Sequence, residues 1–221
     1  MTVLAIYLAV IAALAGWWLS HQQLTAKPWL EQGTGGAPPA TADWRPPTMR
    51  TGLGIFFAVA GSLFALSITA YFMRMSGADW TPLPKPSLLW LNTDILFASS
   101  VALYWAQRGA RRGELHQVRL GLLVGGLTAL VFVAGQALAW RQLNAAGYGL
   151  ASNPANTFFY LLTGMHGLHL LGGLVALART GGAAWRPATT RDLRLNVDLC
   201  AMYWHFLLLV WLLLFGVLML T

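Results

Sequence analysis

Apolar side chains fill six stretches of the sequence, approximately 2–20, 51–73, 87–107, 120–140, 155–178 and 197–220. Each is near the roughly 20 residues that a helix needs to cross a hydrocarbon layer about 30 Å thick. Leu, Ala, Val and Phe occur on every side of the helical repeat, so these are helices apolar all round rather than amphipathic ones. The ten-residue alternation of an outer-membrane barrel is not found. The pattern therefore predicts an all-α integral membrane protein with six transmembrane helices. No basic residue precedes the first span, which favours a retained anchor over a cleaved signal peptide.

The polar intervals divide the chain unevenly. After an N-terminal helix over 1–21 comes a linker over 22–50 that ends in "WLEQGTGGAPPATADWRPPTMR", rich in Pro and Gly. A five-helix unit over 51–221 follows. No internal repeat is evident, which weakens a transporter built from inverted halves. Before the fifth span, "SNPANTFF" offers Asn153 as a helix cap and Pro154 in the first turn, where a missing N–H costs little. Gly121 and Gly125 form a GxxxG in the fourth span, and Gly164, Gly167, Gly172 and Gly173 stud the fifth. Small residues at such spacing let helix backbones approach closely, so packing or lipid contact is their expected role.

Composition agrees with the pattern. The chain is 57% hydrophobic and 10% charged, against about a quarter charged in soluble domains. A net charge of +7 raises the question of nucleic acid. The basic residues are scattered between apolar blocks with no basic stripe, so no nucleic-acid partner is expected and the charge reports topology. Lys27, Arg45, Arg50, Arg108, Arg111, Arg112, Arg119, Arg179, Arg186, Arg191 and Arg194 follow the first, third and fifth spans. Only Arg74, Lys85 and Arg141 stand on the other side. The positive-inside rule then places the loops after the first, third and fifth spans in the cytoplasm and both termini in the periplasm. Trp17, Trp18, Trp90, Trp105 and Trp140 fall near the interfaces and read as aromatic-belt anchors.

Five ionisable residues remain inside the spans: Asp94, His166, His169, Asp198 and His205. Each costs about 2.5–3.5 kcal/mol at mid-depth on insertion scales, so each needs a partner. In "FYLLTGMHGLHLLGGL", His166 and His169 are three residues apart and share a helix face. His169 and His205 fall at nearly the same depth, roughly 13 Å from the cytoplasmic side, on antiparallel neighbours. A metal site, a proton relay and a hydrogen-bonded clasp between the last two spans, with Asp198 as a possible acceptor, all fit. The clasp is the reading we favour, with His169 and His205 in contact or in one network. Asp94 lies a turn or two inside the outer boundary, within reach of interfacial water.

Four strings identify the chain as resembling subunit III of the haem-copper oxidases: "LNTDILFASS", "GQALAWRQL", "TGMHGLHLLGG" and "YWHFLLLVW", in that order across residues 51–220. The resemblance implies a five-helix bundle of the oxidase subunit III type, set against N-terminal helices in a V that holds lipid. It places His166, His169, Asp198, Tyr203, Trp204, His205, Trp211, Asn92, Thr93 and Gln136 at motif positions, Asp198 standing where Glu is usual. It also marks departures. Ala60 or Gly61, Ala139 and Leu208 stand where many members carry a carboxylate, and Asp94 is not part of the pattern.

What the resemblance implies is a subunit with no catalytic residues and no metal of its own, in a bacterial inner membrane. Haem and copper would sit in partner subunits, the catalytic subunit I and subunit II, with phospholipid bound to this chain. It would support proton-coupled reduction of oxygen in a cytochrome c or quinol oxidase. The residue inventory fits. An oxidase catalytic subunit needs about six ligand histidines, and this chain has five, with His21 and His116 in or beside loops. Its single cysteine, Cys200, cannot supply the cysteine pair of the copper-carrying subunit. Two alternatives stay open at this stage: an accessory subunit of a nitric oxide reductase, and an independent transporter.

Overall fold

The computed structural model describes residues 45–84, 87–185 and 190–220. They form five helices: α1 (Arg45–Met75), α2 (Leu88–Arg112), α3 (Leu115–Ala145), α4 (Pro154–Ala184) and α5 (Thr190–Leu220). These are the second to sixth stretches of the apolar pattern, and each is long and apolar enough to cross a membrane. The expected helix over 1–21, most of the linker, Trp17, Trp18 and the placement of both termini lie outside the described residues. The last linker residues are helical, because α1 already begins at Arg45. Its first turn carries Pro46 and Pro47, where a proline's missing N–H has no helical partner to lose.

Four of the helices have 31 residues, about 46 Å at 1.5 Å per residue. That exceeds the apolar runs and spans the headgroup layers as well. Local signals set helix ends. Gly113, in the left-handed region at φ 78°, closes α2, and its N–H bonds the carbonyl of Ala110. Only Gly113 and Glu114 separate α2 from α3. At the start of α4, Asn153 accepts from the N–H of Ala155, with Pro154 in the first turn. In the α1–α2 connection, Arg74 donates to Asp79 and holds that carboxyl below the usual carboxylate range.

α2, α3, α4 and α5 close a ring in which each helix meets the next and α5 returns to α2. α1 rests on α4 and α5. Backbone proximity fixes the α2–α3 crossing. A Cβ on Gly121 would stand 2.7 Å from the Ala106 Cβ and 2.8 Å from the Ala102 carbonyl oxygen, and one on Gly125 2.9 Å from Leu103 Cγ. On α4, Gly173 gives room to Tyr203 and Trp204, while Gly164 faces the Trp140 ring at 3.4 Å and Gly172 touches Tyr203 at 3.9 Å. Gly167 faces open space, with nothing within 4 Å of an added Cβ.

Candidate functional site

The residues singled out by sequence meet where α2, α3, α4 and α5 converge, and α2 receives most of them. Trp204 and Trp211 are both fully buried on one face of α5. The Trp204 indole donates to Ser99 Oγ at 2.9 Å, and the Ser99 hydroxyl donates onward to the Gly125 carbonyl of α3 at 2.7 Å. Two turns along, the Trp211 indole donates to Thr93 Oγ1 at 3.0 Å, whose hydroxyl bonds the Leu89 carbonyl. Next to Trp204, His205 Nδ1 lies 2.5 Å from Ser100 Oγ. The string "YWHFLLLVW" is thus the complement of "NTDILFASS": large heterocycles on one helix, small hydroxyls on the other.

α3 adds an amide pair. Asn92 Nδ2 donates to Gln136 Oε1 at 3.3 Å, both side chains being buried. The neighbouring Gly135 is the notch that admits Asn92, whose Oδ1 would lie 2.1 Å from a Cβ there. α3 and α4 are tied by Trp140, whose indole donates to Thr163 Oγ1 at 3.1 Å. Trp140 is half-buried in this contact. Trp90 and Trp105 are exposed, at 60% and 42%.

The histidines of α4 divide. His166 is fully enclosed by the rings of Trp211, Phe132 and Phe64, at centroid distances of 5.1, 6.0 and 6.4 Å. Neither of its ring nitrogens has a hydrogen-bond partner among the described residues. His169 turns toward α1, packing on Phe64 at 5.3 Å and Phe56 at 6.0 Å, with Nδ1 against the Met165 carbonyl of its own helix. The shared network expected for His169 and His205 is therefore corrected: one ring faces α1 and the other faces α2. Equal depth does not fix azimuth. Tyr203 and Trp204 pack on Gly173, and each step along α5 turns the next side chain about 100°. α4 and α5 are instead clasped by Tyr203, whose hydroxyl donates to the His169 carbonyl at 2.8 Å.

Among the described residues, Asp198 pairs with arginines and not with an imidazole. It lies between two arginines, 3.8 Å from Arg50 on α1 and 3.5 Å from Arg111 on α2. That contact collects three helices at the end where most basic residues gather. Sequence reasoning missed Ser99, Ser100, Arg50, Arg111 and Thr163 as partners. A hydroxyl pair inside an apolar run was the available signal for the first two. Among the described residues, no three His, Cys, Asp or Glu side chains come together as a metal site. Ala60 and Ala139, two of the positions where the resemblance leads one to expect a carboxylate, are buried.

An open cleft of about 680 Å³ runs between α1, α4 and α5. Phe56, Leu168, Ala176 and Leu199 supply apolar wall, and Arg179, Thr180 and Asn196 supply polar groups.

Residues 48–220 match the sequence model of Cytochrome c oxidase subunit III. The chain belongs to that family. A probable cytochrome c oxidase subunit 3 of Mycobacterium tuberculosis (strain ATCC 25618 / H37Rv) is 36% identical over 171 residues, covering 74% of this chain and 79% of the relative. One from Nocardia farcinica (strain IFM 10152) is 30% identical over 181 residues, covering 78% and 87%. The cytochrome c oxidase subunit 3 of Synechocystis sp. (strain ATCC 27184 / PCC 6803 / Kazusa) is 29% identical over 170 residues, covering 74% and 72%. Membership in subunit III disfavours both the nitric oxide reductase and the transporter readings. All four strings that carried the resemblance lie inside the matched range.

Proposed function

We propose that this chain is the redox-inactive membrane subunit of a bacterial haem-copper terminal oxidase of the cytochrome c type. It seats against the catalytic subunit, and haem and copper belong to its partners. The observation that carries this reading is how the motif side chains are used. Trp204, Trp211, His205, Asn92 and Gln136 engage neighbouring helices, so their chemistry goes into holding a rigid scaffold. A catalytic site keeps its reactive groups convergent on an open space instead.

Phospholipid fits the α1/α4/α5 cleft. Its acyl chains match the Phe56, Leu168 and Leu199 wall, and the Arg179 guanidinium suits a phosphate. In this role the chain sustains turnover and proton uptake in the catalytic subunit without carrying electrons.

Removing the gene and comparing oxygen uptake with nitric oxide consumption in membranes tests the assignment. Loss of oxygen uptake with nitric oxide consumption intact is expected, and the reverse pattern would sink the reading. The purified, washed chain should carry less than stoichiometric iron or copper by elemental analysis.

A further inference from the structure

Asp94 is the intramembrane residue that neither the clasp nor the family pattern uses. It is exposed on α2, within the span Leu88–Arg112, and is in no ion pair among the described residues. It stands four residues, about 6 Å, inward of the exposed Trp90. A carboxylate there reaches interfacial water while the face is open, and a helix laid over it would oblige it to find a counter-charge.

The surrounding surface differs from the rest of the outer wall. On α3 the exposed face is aliphatic: Leu123, Val124, Leu127, Leu130, Val131 and Leu138. On α2 one exposed stripe, beside Leu91, Ala98 and Trp105, reads Trp90, Asp94, Phe97, Val101, Tyr104 and Arg108, with the Arg108 guanidinium 5.0 Å from the Tyr104 ring centroid. Beyond the anchor Trp90, the rings of Phe97 and Tyr104 and the Arg108 cation are of the kinds enriched at protein interfaces, whereas an aliphatic wall needs only lipid. Positions 90, 94, 97, 101, 104 and 108 alternate steps of four and three, the spacing of a helix-pairing seam. Beside it, α5 presents Met202 and Leu209 with the part-exposed ring of His205, whose Nδ1 is held by Ser100. A polar residue in such a seam fixes register.

We infer that the α2/α5 face docks a membrane-spanning helix of another subunit of the same complex, and that this helix brings a basic side chain to Asp94. The inference rests on the reading above that the chain works inside an oxidase. The carboxylate and its counter-charge would enter the contact together, and each would relieve the other's burial.

The test uses the assembled complex in membranes, with an affinity tag on this chain. A benzophenone amino acid at Phe97 should form a covalent adduct with a haem-bearing oxidase subunit, identified by mass spectrometry, while the same probe at Leu127 on α3 should label lipid. Asp94→Lys should lower the haem recovered with the tagged chain about tenfold or more, and Asp94→Asn should lower it less. If the probe at Phe97 labels only lipid, or Asp94→Lys recovers haem at the unaltered level, the docking face is wrong and the functional reading stands. If the unaltered tagged chain recovers no haem, the functional reading fails first.

Discussion

Ser99 is a small residue that serves two larger partners. Its oxygen accepts from the Trp204 indole while its hydrogen goes to the Gly125 carbonyl. Ser99→Ala therefore orphans the buried Trp204 N–H, while the Gly125 carbonyl keeps the Thr128 hydroxyl; Trp204→Phe removes that N–H altogether. Leaving a buried donor or acceptor unpaired costs about 1–3 kcal/mol. We expect Ser99→Ala to be destabilising by about that amount in detergent unfolding. A double-mutant cycle with Trp204→Phe should show coupling of about 0.5–1.5 kcal/mol, and additivity would contradict the bond. His166 shows the opposite economy. Its enclosure by Trp211, Phe132 and Phe64, in tilted and edge-on contacts, makes it one ring of an aromatic cluster.

At the level of helices, the glycines separate by what an added methyl would meet. Gly121 sits against the backbone of α2, at 2.8 Å from the Ala102 carbonyl and 2.9 Å from the Ala106 nitrogen, and backbone cannot step aside. Gly121→Ala should force the α2–α3 pair apart and cost about 1–3 kcal/mol. Gly167→Ala meets nothing within 4 Å and should be neutral or stabilising by up to about 1 kcal/mol through helix propensity. Equal losses of unfolding temperature for the two variants would contradict this contrast. Both glycines sit in motif-like strings, yet only one is at a crossing. Sequence spacing shows that a face exists; it does not say which neighbour occupies it.

Across the whole molecule, helix number and order between residues 45 and 220 were legible, because apolar length and loop punctuation are local properties. The Asn153 cap was legible for the same reason. Partner choice was not. His169 and His205 share depth, but azimuth depends on where Gly173 lets Tyr203 and Trp204 dock, and no local pattern encodes that. Asp198 likewise finds Arg50 and Arg111, more than a hundred and more than eighty positions away. Both guanidiniums are more than half exposed, at 59% and 54%, so the contact holds α1, α2 and α5 weakly. Asp198→Asn should cost no more than about 1 kcal/mol, and the cost should shrink as salt is raised. A large, salt-independent loss would show that the three helices depend on this ion pair.

The α2–α5 seam also has a consequence in time. The hydroxyl of Ser99 and the indole that meets it are 105 positions apart. At about 5–20 residues per second, synthesis takes roughly 5–20 s to cover that interval. For those seconds α2 waits in the bilayer, joined to α3 by its short turn, with Thr93 and Ser100 facing an empty slot. The bundle is thus finished from outside, by a helix that arrives late and carries every heterocycle the slot requires.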